Sequence, residues 1–246
     1  MLNTISVTAA TQNCHEANGC IEGVKSHSRT VVPLNKVSSV ERASETLFRA
    51  FAKSTANDYL LKKFSRIPLN ENVSRTRFNA MIYYYTSWFH DLGGEVVEAN
   101  DYDAVGIWSL PGRHLPATLS EDPKFNKTFF EDLDKRKYEV IPPGMGYYYL
   151  FMVGKDPSQP KVRGSVKTML NHYKERADKD NCAIVLEAIS EHARSVYEYF
   201  GFKVYLTFKY GESEVNTQGV LDLNGEGFTG YLMLYHKDAQ NVFRNC

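Results

Sequence analysis

Apolar positions along this chain recur first at helical spacing and then at strand spacing. Ser38 followed by Glu41 has the capping-box pattern and opens a stretch with Val40, Ala43, Leu47, Ala50 and Phe51 on one face, which predicts a helix. Phe78, Met81, Ile82, Tyr85, Phe89 and Leu92 repeat at the same spacing until Gly93-Gly94 stops them, predicting a second helix. Strands are expected at 95–99 and 104–110, joined by a tight polar turn into a hairpin. Residues 122–136 read as helix, with Asp122 as cap, Pro123 at the first position and Phe125, Phe129 and Leu133 on a stripe, before Pro142-Pro143-Gly144 breaks the chain.

The segment from Tyr147 to Tyr173 changes period in its middle. Its first half is an apolar strand and its second a helix running from Gly164 to about Ala177. An apolar run at 182–188 follows, then a short helix carrying Ala193, Val196, Tyr197 and Phe200. Residues 202–210 alternate strictly, and 230–236 forms a last strand. The Gly-rich polar stretch 211–229 between them is a loop long enough to suspect a function. Helices, a hairpin, then strand–helix–strand–helix–strand–strand give an α/β sandwich around a mixed sheet. The right-handed crossover rule makes the strands bounding 147–188 parallel neighbours.

Composition narrows the class. With 246 residues and 43% hydrophobic side chains the chain is long enough for a substantial core. Lys+Arg and Asp+Glu both number 29, so no global field favours nucleic acid or an anionic membrane, and any anion must be bound locally. No apolar run approaches the roughly 18 residues of a membrane span. The start shows no positive-then-apolar signal. Cys14, Cys20, Cys182 and Cys246 have no pairing pattern, which points to a reduced interior, the cytoplasm by default or the nucleus. The spacing of Cys14, His15, Cys20 and His27 fits none of the usual zinc patterns, so no metal is expected. Residues 1–36, rich in Ser, Thr and Asn and without sustained period, are expected to form a disordered polar tail before one domain over 37–246.

The loop before the helix at Gly164 bears on chemistry. Helix N-termini present unpaired amides and the positive end of the macrodipole, which suits an anion. Gly164 lets a ligand approach the backbone, and Lys161 and Arg163 add charge. A plain strand-to-helix turn with solvated basic residues explains the same pattern. Neither G-x-x-x-x-G-K-[ST] nor G-x-G-x-x-G is present.

"YYLFMVGKDPSQPKVRGS", residues 148–165, resembles motif A of the GCN5-related N-acetyltransferases, whose Q/R-x-x-G-x-G/A signature is met at Gln159 and Gly164. "LEAISEHARSVYEYFGF", residues 186–202, resembles their motif B, which ends in Y-E-x-x-G-F. Two departures stand out: Val162 replaces the first glycine, and Ser190 stands where an Asn often touches the cofactor.

The resemblance implies a central mixed, mostly antiparallel twisted sheet flanked by helices and splayed at two parallel strands. It implies acetyl-CoA as co-substrate, its pyrophosphate on the amides from Gln159 to Ser165, through Lys161, Val162, Arg163 and Gly164, and its pantetheine arm along Met152, Val153 and Gly154. Ser190 and Arg194 join that cofactor set. By resemblance Tyr197 is the candidate acid beside the cofactor sulfur; a core aromatic is the other reading. Glu187, the one acidic residue in the run 182–188, is the candidate base, since burial raises a carboxyl's pKa toward neutrality. Alternation equally allows it to face solvent, and Glu98, His172 and His192 are weaker rivals.

The acceptor site is expected between the first two helices and the 211–229 loop. The "YYYTSWF" run from Tyr83 to Phe89 would line a pocket or pack on the sheet. The implied activity is acetyl transfer from acetyl-CoA to a primary amine of a small molecule, by direct attack in a ternary complex, in a monomer or homodimer. Acetylation of a protein or peptide, or a non-catalytic acyl-CoA-binding regulator, are the alternatives; Val162 and Ser190 keep the last open.

Overall fold

The computed structural model describes the backbone of residues 7–8 and residues 32–113, 119–160 and 162–244. Cys14, His15, Cys20, His27, Lys161 and Cys246 lie outside the described residues, as does most of the predicted tail. In chain order come β1 (Val7–Thr8), β2 (Leu34–Lys36), α1 (Val40–Phe51), α2 (Thr55–Phe64), α3 (Arg75–Asp91) and the hairpin β3 (Glu95–Ala99) and β4 (Ala104–Ser109). Next are α4 (Pro123–Asn126), a π-helical turn (Lys127–Asp132) and α5 (Leu133–Val140), which run on as one rod. Then follow β5 (Tyr147–Lys155), α6 (Ser165–Asp180), β6 (Ala183–Ala188), α7 (Glu191–Tyr199), β7 (Lys203–Tyr210), β8 (Phe228–Tyr235) and α8 (Ala239–Val242).

Among the described residues the strands form one mixed sheet in the order β2-β3-β4-β5-β1-β6-β8-β7. Pairing is antiparallel except around β5, β1 and β6, where it is parallel, as the crossover through α6 requires. Helices α1–α5 cover one face, with Leu47, Phe51, Phe89, Phe129 and Phe151 in a continuous core. On the other face α6 and α7 pack Met169, Leu170, Tyr173 and Tyr197 onto Trp108, Leu150 and Leu186. Each large side chain buried in this way contributes about 1.5–3 kcal/mol. The result is the expected α/β sandwich.

Three local expectations change. The cap of α1 is Ser39, not Ser38: Ser39 Oγ accepts from the Arg42 amide, while Ser38 is tied to the Tyr102 hydroxyl. Helix α2, not anticipated from the period, starts at the Ser54 cap and buries Tyr59, Leu60, Leu61 and Phe64. Leu92, read as part of the buried face of α3, is the C-cap and 49% exposed. No helix among the described residues is long and apolar enough to cross a membrane.

Candidate active site

Strands β5 and β6 are hydrogen-bonded neighbours only at Tyr147–Ala183, Tyr148–Ile184 and Tyr149–Val185. Beyond these pairs they part, although β5 continues to Lys155 and β6 to Ala188. The cause lies on the other edge of β5. Met152 is opposite Ile107 but Leu150 is opposite Trp108, so Phe151 is an extra residue that bulges and bends the strand. Phe151 and Met152 therefore both face the α1–α5 core, while Leu150 and Val153 face α6 and α7. Within the gap the backbone of Val7–Thr8 pairs in parallel with Met152 and Val153 on one side and Ala188 on the other. The opened edges thus accept a strand-like partner.

The turn leading from β5 to α6 is fixed by two buried carboxylates. Asp103 Oδ1 accepts from Lys155 Nζ at 2.9 Å and Oδ2 from Ser165 Oγ at 2.6 Å. Asp156 accepts from Arg49 Nε at 3.0 Å and from the Ser158 amide at 2.8 Å. Burial pushes the Asp156 carboxyl up, but the Ser158 and Arg49 interactions outweigh it and hold it below its ordinary value.

Gly164 caps α6 with φ +92°, a left-handed backbone that glycine adopts without strain. The expected amide cradle is narrower than the sequence implies: the Gln159 amide bonds Asp156 O and the Val162 amide bonds Gln159 O within the turn. The amides of Ser165, Val166 and Lys167, orphaned by helix geometry, have no acceptor among the described residues. Arg163 and Gln159 are exposed beside them. Gly154 has a packing role of its own: a Cβ there would lie 2.6 Å from Ala50 Cβ, so its absence lets α1 seat on β5.

Glu187 and Tyr197 lie on opposite faces of the sheet. Glu187 is 3% exposed on the α1–α5 side, where Tyr149 donates its hydroxyl to Oε2 at 2.7 Å. Of the two orientations open in the sequence, this is the buried one. Tyr197 is 2% exposed in the α6–α7 core, its ring edge-on to Phe202 at 5.6 Å between centroids. Ser190 Oγ caps α7 by accepting from the Ala193 amide, and Arg194 lies over the Tyr231 ring with ion pairs to Glu191 and Glu198. Both are thus engaged within or beside α7. Among the rival bases, Glu98 has both oxygens occupied, by Asn35 Nδ2 and the Tyr102 amide. His192 is exposed, and His172 stands edge-on to Tyr173. Trp88 and Phe89 pack, but Tyr83 and Tyr84 point outward at 41% and 57% exposure.

At the splayed end of the sheet the long β7–β8 loop folds over α2, where Thr55 Oγ1 donates to Gln218 O. Between them is a cleft of about 570 Å³ lined by Ile67, Leu69, Asp122, Glu214, Leu221 and Leu223. At its floor Lys63 Nζ joins Asp122 Oδ2 at 2.5 Å and Glu214 Oε1 at 2.6 Å, and Tyr59 donates to Glu214 Oε2 at 2.8 Å. The sequence reading missed Asp103, Tyr149 and Tyr210. No local signal marked them: Asp103 shares its turn with Asp101, and the register sets Tyr149 opposite Val185 and Tyr210 opposite Phe228 rather than opposite Glu187.

A family model described as the YOR012W acetyl transferase domain matches residues 35–114, the stretch from β2 through β4. The chain is 50% identical over 224 residues to the uncharacterized protein YDR391C of Saccharomyces cerevisiae, covering 91% of this chain and 95% of that protein. It is 25% identical over 188 residues to the uncharacterized N-acetyltransferase C550.08 of Schizosaccharomyces pombe, covering 68% and 73% of the two chains. Its fold is similar to that of a Corynebacterium glutamicum structure described as histone acetyltransferase HPA2 and related acetyltransferase, with a TM-score of 0.50, 19% identity, and 82% and 94% of the two chains covered. The domain model lies on the N-terminal half of the fold and the motif pair on 148–202, around the same splayed strands; together they show that the chain belongs to the GCN5-related N-acetyltransferase superfamily.

Proposed function

We propose that this N-acetyltransferase moves the acetyl group of acetyl-CoA to a primary amine of a small molecule, by direct attack of the amine while both substrates are bound. The observation that carries the reading is the parting of β5 and β6 beyond Tyr149 and Val185, at the sheet end where the open amides of α6 begin. Acetyl-CoA fits this arrangement. Its amide-bearing arm suits the β5 edge at Met152 and Val153, where β6 has parted and the strand-like segment Val7–Thr8 now pairs, and its diphosphate suits the amides of Ser165, Val166 and Lys167 with Arg163 beside them. Gly164 leaves that approach uncrowded.

Bound there, the thioester supplies an activated acetyl group. An alkyl amine of pKa about 10 is roughly 0.1% neutral at pH 7, so its proton must leave before or during attack. Glu187, held by Tyr149, accepts that proton from the α1–α5 side as the C–N bond forms. Tyr197, on the opposite face, gives a proton to the sulfur as the C–S bond breaks. A backbone amide of the bulged β5 edge faces the carbonyl oxygen and stabilises the charge that develops on it.

The test is calorimetric titration with acetyl-CoA, followed by thiol release with a panel of free amines and peptides. Micromolar binding with acceptor-dependent release from free amines supports the reading. Tight binding without transfer to any amine would point to a regulator instead.

A further inference from the structure

Resting on the acetyl-CoA reading, we propose that Asp103 is a positioning residue for the diphosphate. From the turn between β3 and β4 it presets the first turn of α6, whose amides receive that group, without itself touching the ligand.

The turn that carries Asp103 has an unusual backbone. Asn100, Asp101 and Tyr102 all have positive φ, at +62°, +54° and +65°. Asn and Asp visit this left-handed region readily, but a bulky aromatic residue does so rarely and at a cost. Such a conformation persists only where its surroundings over-determine it. The Tyr102 amide donates to Glu98 Oε2 at 2.9 Å, its carbonyl accepts from Thr46 Oγ1 at 3.0 Å, and its hydroxyl accepts from the Ser39 amide at 2.9 Å. Arg42 lies over its ring, 4.1 Å from the centroid. Closing a hairpin does not require this arrangement, since loops of this length are ordinarily built around an unstrained type I turn. What the strained turn delivers is Asp103.

Asp103 is fully buried, at the end of the sheet where β5 gives way to the α6 turn. Three of its bonds converge on that turn. Its carbonyl accepts from the Asp156 amide at 2.7 Å, Oδ1 from Lys155 Nζ at 2.9 Å, and Oδ2 from Ser165 Oγ at 2.6 Å. Lys155 Nζ also donates to Gln159 O at 2.7 Å, so one aspartate braces the start, the middle and the end of the turn. Gly164 gives α6 no side-chain cap, and a capping oxygen would have occupied an amide of the first turn. Asp103 grips the helix end through the Ser165 hydroxyl instead, which leaves the amides open to the diphosphate. It also commits that hydroxyl, on a residue 1% exposed, to the protein rather than to a phosphate oxygen. A turn fixed before binding loses less freedom when the ligand arrives, so affinity rises without any added contact.

The experiment measures acetyl-CoA binding by calorimetry, and turnover with acetyl-CoA and with acetyl-pantetheine, which lacks the diphosphate. Asp103→Asn replaces one acceptor oxygen by a donor. It should raise the acetyl-CoA Kd and KM at least fivefold, while kcat and the kcat/KM for acetyl-pantetheine stay within twofold. In the ligand-free variant the Thr168 amide, bonded to Gly164 O at 2.8 Å, should exchange its hydrogen faster than in the parent. Ser165→Ala removes only a hydroxyl and keeps the fold should Asp103→Asn not fold. It should weaken acetyl-CoA binding in the same way, and the double variant should bind no more weakly than Asp103→Asn alone, because the two side chains act as a unit. Additive losses would place the Ser165 hydroxyl on the ligand and overturn the inference. An unchanged Kd, or equal losses with acetyl-CoA and acetyl-pantetheine, would confine Asp103 to structure while acetyl-CoA binding stood. Absence of acetyl-CoA binding in the parent protein would overturn both readings.

Discussion

Tyr149 and Glu187 are joined by a 2.7 Å hydrogen bond just where β5 and β6 separate. Both side chains are buried, at 0% and 3% exposure, so Tyr149→Phe leaves the carboxylate short of a donor that water cannot replace. The loss should cost about 1.5–3 kcal/mol, the range for a bond to a charged group. At roughly 2–4 °C per kcal/mol for a chain of this size, the fall in Tm is measurable by scanning calorimetry. Because the same bond orients the proposed base, kcat should drop as well, at least tenfold. A variant that melts early but keeps its kcat would confine Tyr149 to structure.

Tyr197 supports a sharper test of the acid. Tyr197→Phe keeps the ring against Phe202 and removes only the hydroxyl. We expect kcat to fall at least tenfold, with acetyl-CoA affinity and Tm little changed. Unchanged kcat would take Tyr197 out of the mechanism and leave it as a core aromatic.

The elements that were legible in the sequence are those whose apolar repeat is long. Phe78, Met81, Ile82, Tyr85 and Phe89 are all buried as the helical period requires, and Phe125, Phe129 and Leu133 are likewise. The parallel pair also followed from handedness alone. Helix α2 was not legible, because its ten residues mix Tyr59, Leu60, Leu61 and Phe64 with Lys62 and Lys63. The π turn at Lys127–Asp132 keeps the same stripe as an α-helix and leaves no separate trace. The anchor of the α6 turn was hidden for another reason: Asp103 meets Ser165 across 62 residues of sequence, and local pattern contains no such contact. The same holds for the cleft floor, where Lys63 meets Glu214 across 151 residues. Motif spacing pointed to the turn before α6 and to the strands that part beside it, whereas the cleft beside α2 is a product of tertiary contacts.

The pairing of Val7–Thr8 with Met152, Val153 and Ala188 uses backbone groups that an amide-bearing arm would also need. Each such group makes one ladder bond at a time, so segment and arm compete. A protein starting at Val32 should therefore bind acetyl-CoA more tightly. Occupancy of the slot two thirds of the time corresponds to an effect of about threefold. Calorimetry on the full and shortened chains measures it, and equal affinities would show that the two do not compete.

The base of α6 makes stability depend on pH in a direction that can be worked out. Glu95, on β3, accepts from the Tyr173 hydroxyl at 2.8 Å and forms an ion pair with Arg176. Burial pushes its carboxyl up, but the bonds from Arg176 and Tyr173 and the Arg176 charge outweigh it, leaving the folded value below the ordinary 4.5. A carboxyl depressed on folding stabilises the fold fully above about 4.5, and the contribution is lost as pH falls through the lower folded value. Arg176→Met removes the main depressing partner. Its Tm should lie a few degrees below that of the parent at pH 6–7, and the gap should close as pH falls below 4.5. A gap that persisted unchanged at pH 3 would assign the loss to the packing of Arg176 over the Tyr148 and Tyr173 rings rather than to its charge.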